Sequence, residues 1–174
     1  MKFRKALQSD ATSMAALSIE VWLGTYLRRG VNTFFANYAL SEFTASKFEA
    51  LLDDPKEYFA VSENEDGIDG FIRITTGNSG PVNGCSNTEI STLYIQPRHH
   101  GVGLGKGLLQ AGLRHCHEES VQSVWVATNS ENTPAINFYI AQGFENVGNT
   151  HFRIQDQAYL NDVFSYTLRQ PVLR

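Results

Sequence analysis

The amino-acid sequence predicts a single α/β domain, residues 1–174, built on a mixed sheet. Two observations support this class. Runs of strand length alternate with segments of helix length, and the chain from residue 68 onward follows the order strand, strand, helix, strand, helix, strand, strand. A chain of 174 residues, 42% of them hydrophobic, is also long enough to bury the core that such a sheet needs.

The first third of the chain predicts one strand and two helices. Residues 3–6 form a short opening strand, after which Asp10 can cap a helix that continues to Tyr26. Residues 27–38 have no clean hydrophobic period, so we expect them to be an irregular connection. This connection leads to a second helix near residues 44–52.

An antiparallel hairpin and a long loop are predicted next. Residues 57–62 and 68–75 have strand patterns, and the charged link between them ends in Asp-Gly, which is a turn signal. Residues 76–87 contain three Gly, one Pro and three Asn, so we expect a loop on the surface. The loop is longer than a tight hairpin needs, which leaves a role at the edge of a substrate site as the alternative.

A glycine-rich turn between a strand and a helix is the strongest local signal in the sequence. Residues 90–95 predict a strand that ends at Pro97, and an amphipathic helical stripe begins at Leu104. Gly101 and Gly103 lie between them. Such a turn directs free backbone N–H groups and the positive end of a helix dipole at one point, so it predicts a phosphate or pyrophosphate site.

Two common phosphate-binding patterns do not fit this turn. A Walker loop needs glycine where His100 stands and Ser or Thr where Gly107 stands. The dinucleotide pattern GxGxxG needs a third glycine where the chain has Lys106 or Leu108, depending on the starting glycine. A P-loop enzyme and a Rossmann enzyme are therefore disfavoured.

Three strands and one helix are predicted in the rest of the chain. Residues 123–128 have the composition of a buried strand, and residues 133–141 predict a helix. Asn132 can cap this helix, and Gly143 suits a left-handed C-cap. The last two strands are predicted at residues 144–147 and 158–168.

Charge and cysteine content disfavour several classes of protein. The net charge of -4 and the pI near 5.7 disfavour nucleic-acid binding but are compatible with a cationic substrate. The two cysteines and five histidines show no metal-ligand spacing, so we expect no metal site. The chain shows no apolar signal core and no run of the ~20 apolar residues that a membrane helix needs, so we expect a reduced, soluble, cytoplasmic protein.

Two motifs resemble those of the GNAT family of N-acetyltransferases. Arg98-His-His-Gly-Val-Gly103 matches the family pattern R/Q-x-x-G-x-G/A, directly after a strand and a proline. Residues 129–144, with Asn129 and Asn132, a Phe-Tyr pair and a final Gly-Phe, resemble the second acetyl-CoA motif. The resemblance implies the GNAT fold: a mixed, mostly antiparallel sheet of about seven strands with four helices, splayed between strands 4 and 5, with acetyl-CoA in the wedge.

The resemblance also implies which residues bind acetyl-CoA. The pyrophosphate is expected at the glycine-rich turn, and the pantetheine arm is expected to pair with the end of the strand before it. Asn132 can reach the same arm, although a plain helix cap is the equal alternative. The implied cofactor-binding residues are Leu93, Tyr94, Ile95, Arg98, Gly101, Val102, Gly103, Leu104, Gly105, Lys106, Asn132 and Tyr139.

Two residues are candidates for proton transfer when an amine attacks the thioester directly. The leaving thiolate has a pKa of about 8.5, so an acid near the sulfur helps, and Tyr139 stands where the family keeps its phenol. The attacking amine must lose a proton, and the resemblance puts Glu89 in the position of the base. Side-chain packing is the alternative interpretation of Tyr139, and an ordered water is the alternative base to Glu89.

The predicted acceptor is a primary amine, and a small cationic, polyamine-like amine is slightly preferred. In the family, the connection after the first helix overlies the acceptor site, so Trp22, Tyr26 and Phe35 are candidate substrate contacts, with core packing as the alternative. A protein or peptide acceptor, through its N terminus or a lysine, remains open, as does a non-catalytic acyl-CoA-binding regulator. A homodimer is compatible with the family pattern.

Overall fold

The protein has an α/β fold with seven strands and five α-helices in its described part. The structure is a computed structural model that describes residues 2–168; residues 1 and 169–174 of the predicted domain lie outside the described residues. The strands are β1 (Lys2–Lys5), β2 (Glu57–Glu63), β3 (Ile68–Thr76), β4 (Thr88–Ile95), β5 (Ser123–Asn129), β6 (Glu145–Ile154) and β7 (Gln157–Thr167). The helices are α1 (Ala11–Tyr26), α2 (Thr33–Glu42), α3 (Ala45–Asp53), α4 (Leu104–Glu118) and α5 (Thr133–Ala141).

The seven strands form one open sheet in the order β1-β2-β3-β4-β5-β7-β6. β1 pairs antiparallel with β2, and β7 pairs antiparallel with both β5 and β6. β4 and β5 run parallel, with Glu89 opposite Trp125. The predicted mixed, mostly antiparallel sheet, splayed between its fourth and fifth strands, is confirmed.

The chain divides into two compact units. The first unit comprises the residues up to Arg73 together with Thr92–Gly112. The second unit comprises Ile74–Ser91 and the residues from Leu113 onward. Each unit therefore contains segments that are distant in the sequence, and β3 and β4 contribute residues to both.

The core of the first unit is formed by side chains from α1, α3, β2 and β3. Met14, Val61 and Phe71 are fully buried. Phe48 of α3 packs edge-on against Phe71, with ring centroids 5.8 Å apart. Because burying one such side chain contributes about 1.5–3 kcal/mol, these contacts hold α1 and α3 on the strands.

The core of the second unit is formed by β5, β7 and α5. Val124, Val163 and Phe164 are buried. The ring of Tyr139 on α5 lies parallel to that of Phe164, with centroids 6.3 Å apart, and meets Phe144 at 5.3 Å. These ring contacts fix α5 against β7.

Helix α2 lies where the sequence predicts an irregular connection, so the structure has five α-helices instead of the four expected. Asn32 caps α2 by accepting a hydrogen bond from the Phe35 backbone N–H at 3.0 Å. Ala39 is buried, whereas the adjacent Leu40 is 64% exposed. Apolar residues thus occupy both faces of α2, which explains the missing hydrophobic period.

Strand β6 is longer than predicted, because it extends well beyond residues 144–147. Residues 149–151 are Asn, Thr and His, a composition that does not favour a strand. β6 lies at one edge of the sheet and pairs with β7 from Glu145 to Ile154. Backbone pairing with β7 therefore forms this part of the strand.

Candidate functional site

The turn that precedes α4 has the backbone conformation that only glycine adopts readily. Gly101 has φ +80° and Gly103 has φ +90°, both in the left-handed region. A Cβ at either position would meet no protein atom within 4 Å. The outer side of the turn is therefore open, and it has room for a bulky group such as a diphosphate.

The first turn of α4 supplies donors to this open side. The N–H of Gly107 donates to the carbonyl of Gly103 at 3.0 Å and closes the first turn of the helix. The N–H groups of residues 104–106 precede that bond, so they have no intrahelical acceptor. Leu104 is buried and anchors the helix start, while Arg98 and Lys106 are exposed. The turn therefore combines backbone donors, a helix dipole and two cations, which fits an anionic diphosphate.

Contacts with β3 hold the base of this turn. The backbone N–H of Gln96 donates to the carbonyl of Asp69 at 2.9 Å. The imidazole Nδ1 of His99 lies 3.3 Å from the Asp69 carboxylate, without hydrogen-bond alignment. Asn64 donates to the same carboxylate at 3.0 Å. His99 thus contacts β3 in the structure.

The predicted pantetheine-pairing residues lie at the end of β4 and are all half-buried. The ring of Tyr94 packs edge-on against Phe71, with centroids 5.7 Å apart. A Cβ on Gly70 would lie 2.9 Å from Cδ1 of Ile95, so that side chain is also packed. Any pairing of this segment with a ligand therefore involves its backbone, and the roles of Leu93, Tyr94 and Ile95 stay predictions.

The three candidate acceptor residues belong to one aromatic cluster formed by α1 and α2. Trp22 contacts Tyr26 at 4.7 Å, Phe35 at 5.8 Å and Tyr38 at 4.8 Å between ring centroids. Trp22 is only 4% exposed, while the other three rings are half-buried. Burial raises the pKa of Tyr38 to about 12, with smaller effects from Glu42 and Tyr26. The cluster therefore packs α2 on α1 and keeps the Tyr38 phenol neutral.

Glu89 lies in a polar network within the second unit. The amide Nδ2 of Asn78 donates to Oε2 of Glu89, and the hydroxyl of Ser91 donates to the same oxygen at 3.2 Å. The Ser91 hydroxyl also forms a hydrogen bond with that of Thr75 on β3. The carboxylate is therefore oriented by neighbours on β4 and in the loop after β3.

The loop at residues 77–87 is ordered by backbone hydrogen bonds. The N–H of Asn78 donates to the carbonyl of Asn87 at 2.9 Å, and that of Gly80 donates to the carbonyl of Ser86 at 3.0 Å. The indole Nε1 of Trp125 donates to the carbonyl of Asn78 at 3.1 Å. This loop thus extends the hairpin of β3 and β4 and is attached to β5.

Tyr139 is 5% exposed, and its burial raises the phenol pKa above the ordinary value of 10.0. Its side chain is therefore neutral at pH 7 and still carries the proton that a general acid needs. Asn132 caps α5 by accepting from the Ala135 N–H at 3.3 Å, and Gly143 after the helix has φ +89°. The predicted caps of α5 are confirmed.

The described residues contain neither a metal-binding cluster nor a membrane-spanning helix. Between residues 2 and 168, no group of three or more His, Cys, Asp or Glu side chains could hold a metal ion. Over the same range, no helix is both long and apolar enough to cross a membrane. Cys85 and Cys116 are free thiols.

The sequence did not predict the neighbours that orient Glu89 and the turn. Asn78 and Ser91 contact Glu89, which lies 11 positions after Asn78 and 2 positions before Ser91. Asp69 contacts His99, which lies 30 positions later in the chain. The loop that carries Asn78 was expected on the surface. The three asparagines of this loop are the one feature of the sequence that indicates side-chain hydrogen bonds with neighbouring residues.

Comparison with protein families gives a match over most of the chain. Residues 23–144 match the model of the acetyltransferase (GNAT) family. This segment exceeds half of the chain and includes both the turn before α4 and the α5 motif.

Two curated relatives and one solved structure show similar proteins. An uncharacterized N-acetyltransferase of Mycobacterium tuberculosis is 26% identical over 84% of this chain and 90% of its own length. A mycothiol acetyltransferase of Saccharomonospora viridis is 34% identical over 51% of this chain, but the match covers only 30% of that enzyme. The paia N-acetyltransferase of Thermoplasma acidophilum, in complex with coenzyme A, superposes with a TM-score of 0.73 over 96% of this chain and 98% of its own, at 14% identity.

Proposed function

Since the chain belongs to the acetyltransferase (GNAT) family, we propose that it transfers the acetyl group of acetyl-CoA to a primary amine by direct attack in a ternary complex. The observation that carries this proposal is the open, glycine-rich turn at the N terminus of α4. Its backbone donors, helix dipole and cationic side chains suit a diphosphate, which acetyl-CoA contains. When bound, acetyl-CoA supplies an activated acetyl thioester and a thiolate leaving group.

The turn is proposed to hold the diphosphate through its backbone. Gly101, Gly103 and Gly105 let the main chain approach the phosphates closely, and the exposed side chains of Arg98 and Lys106 add positive charge. Val102 and Leu104 contribute N–H groups, and the side chain of Leu104 anchors the helix start. The backbone at residues 93–95 and the side chain of Asn132 are proposed to bind the pantetheine arm.

Tyr139 is proposed as the general acid. Its phenol has an ordinary pKa of about 10, which burial raises, so it is protonated at neutral pH and its Oη can donate a proton to the leaving sulfur. The contacts of its ring with Phe144 and Phe164 restrict its orientation. This rigidity supports a proton donor that does not have to be reoriented in each turnover.

Glu89 is proposed as the base that takes a proton from the acceptor ammonium. An alkylammonium has a pKa of about 10.4, so it must lose a proton before its nitrogen can attack. The two hydrogen bonds that Glu89 accepts orient its carboxylate.

A small cationic, polyamine-like amine is the proposed acceptor. The net charge of -4 attracts a polycation, and the cluster of Trp22, Tyr26 and Phe35 offers aromatic faces that suit cationic or alkyl groups. Trp22 is almost fully buried, so we expect Tyr26 and Phe35 to make the direct contacts.

A thiol-release assay with acetyl-CoA tests this proposal. The panel comprises spermidine, spermine, an aminoglycoside, free amino acids and a peptide with a free N terminus and a lysine. We expect release to be stimulated by an amine, and most strongly by the polyamines. Stimulation by the peptide alone would change the acceptor class to a protein amine. Tight CoA binding without stimulated release would favour a non-catalytic regulator.

A further inference from the structure

Asn78, in the loop between β3 and β4, contacts the carboxylate proposed to act as the base. We propose that Asn78 is a positioning residue, which fixes the Glu89 carboxylate for proton transfer from the acceptor. The inference rests on the proposed function only through the role of Glu89 as the base. It assigns a role to a loop whose composition predicts an ordinary surface connection.

The first support is the geometry at the carboxylate. Asn78 Nδ2 and the Ser91 hydroxyl both donate to Oε2 of Glu89. Because Thr75 forms a hydrogen bond with the Ser91 hydroxyl, the second donor is itself oriented. Two donors on one oxygen, coming from two different segments, restrict the rotation of the carboxylate.

The second support is that the backbone of Asn78 is held independently of its side chain. Its N–H donates to Asn87 across the loop, and its carbonyl accepts from the indole of Trp125. Trp125 is 6% exposed and stands opposite Glu89 in the parallel pairing of β4 and β5. The main chain of Asn78 is therefore attached to Asn87, two residues before Glu89, and to Trp125 on β5.

The third support is the chemistry of the contact. A hydrogen bond donated to a carboxylate stabilises its charged form, so Asn78 favours the state of Glu89 that accepts a proton. Thr75, Ser91 and Trp125 take part in this network through hydrogen bonds, and these three side chains are neutral. Replacing Asn78 therefore changes the donor without changing a neighbouring charge.

The test is a titration of the Glu89 side chain by carbon-detected NMR, with Glu89→Gln used to assign its signal. Asn78→Ala removes the donor but keeps both backbone bonds. We expect its titration midpoint to rise by roughly 0.5–1 pH unit, the size of one ordinary hydrogen bond, because the contact is exposed to solvent. Asn78→Asp keeps the shape but adds a like charge, so its midpoint should rise further. Asn83→Ala, an exposed asparagine of the same loop, is the matched control and should leave the midpoint unchanged.

The same variants are then assayed for thiol release with the most active amine of the panel. We expect the acidic limb of the pH–rate profile to move upward with the Glu89 midpoint, while the KM for acetyl-CoA stays the same. A midpoint that Asn78→Ala leaves unchanged would overturn the proposal. A shifted midpoint with an unmoved acidic limb would also overturn it, because Asn78 would then not act through the base.

The titration separates this inference from the proposed function. It needs neither acetyl-CoA nor an amine, so it reports on the contact between Asn78 and Glu89 in any event. If the wild-type protein released no thiol with any amine of the panel, the proposed function would fail. The NMR midpoints would still show whether Asn78 controls the charge of Glu89.

Discussion

Gly103 and Gly107 belong to one glycine-rich segment but serve different purposes. Gly103 has φ +90° and open space where a Cβ would stand, so its role is the conformation of the turn. At Gly107, a Cβ would overlap the ring of Phe3, with Cζ 2.1 Å away. Gly107 therefore allows β1 and α4 to pack closely, and any side chain there would displace Phe3. The same segment therefore contains one glycine that sets the conformation of the turn, Gly103, and one that allows close packing, Gly107.

Replacement of Tyr139 by Phe tests the proposed acid. The ring contacts with Phe144 and Phe164 remain, so the fold should be retained. We expect kcat to fall by about 10²-fold, the typical contribution of a general acid, with little change in the KM for acetyl-CoA. Steady-state thiol release measures both constants.

The matched control for Tyr139 is Tyr159→Phe. This change removes a hydroxyl that donates to Gln157 at 2.6 Å on β7, where no catalytic role is proposed. Its kcat should stay close to that of the wild type. Unchanged turnover in Tyr139→Phe would remove Tyr139 from the mechanism.

At the scale of elements, Arg4 joins β1, β2 and the turn before α1. Its guanidinium forms paired hydrogen bonds with Asp10, at 2.7 and 3.0 Å, and with Glu63, at 3.1 and 3.0 Å. Asp10 also accepts from the Leu7 backbone N–H at 2.8 Å. The hydrogen bonds from Arg4 hold the pKa of Asp10 below its ordinary value of 3.8, while burial acts in the opposite direction. This carboxylate thus fixes the entry to α1.

Asp10→Asn should destabilise the protein at pH 7 by about 1–3 kcal/mol, because a partly buried guanidinium loses a charged partner. The pKa of Asp10 is lower in the folded protein than in the unfolded chain, so its ionised form stabilises the fold at pH values above the unfolded-state pKa of about 3.9. This stabilisation is lost as the pH falls through the folded-state pKa. The wild type should therefore lose stability below about pH 4, and Asp10→Asn should lose less. Urea unfolding of both proteins at pH 7 and below about pH 4 measures these changes in the free energy of unfolding.

Asp66→Asn, in the exposed turn between β2 and β3, is the control for Asp10. It should change the free energy of unfolding by less than about 0.5 kcal/mol at pH 7. Equal effects of the two substitutions would show that the contacts of Arg4 do not stabilise the entry to α1.

The elements also show what a single sequence can predict. The turn before α4 is local, since its glycines and the adjacent strand and helix all lie within residues 88–118, and the sequence predicts it. Helix α2 and the second half of β6 depend on packing against α1 and pairing with β7, so their own residues do not indicate them. The Asn78–Glu89 contact likewise depends on the ordered loop, which composition alone does not predict.

At the scale of the whole molecule, several buried acidic groups should limit stability at high pH. Burial raises the pKa of the Cys116 thiol to about 11 and that of Tyr38 to about 12, and it also raises the pKa of Tyr139. These groups ionise earlier in the unfolded chain, the thiol at about 8.5 and the phenols at about 10. Their neutral forms therefore stabilise the fold below those values, and this stabilisation is lost as the pH rises toward the folded-state values.

We expect the free energy of unfolding to decline between about pH 8.5 and pH 12, first from Cys116 and then from the tyrosines. Urea unfolding across this range measures the decline. Cys116→Ala should be less stable at pH 7 because of the cavity, but its stability should fall less between about pH 8.5 and pH 10. A decline identical to that of the wild type would mean that the thiol does not contribute.

The central claim, that the turn before α4 holds the diphosphate of acetyl-CoA, is tested most directly by titration calorimetry with CoA. Gly103→Glu places a side chain and a negative charge on the open side of the turn. Gly84→Glu is the matched control, because Gly84 also has φ +90° and open space around a Cβ. We predict that the wild type and Gly84→Glu bind CoA, whereas Gly103→Glu loses at least about 100-fold in affinity. Equal CoA affinity in all three proteins would contradict the account.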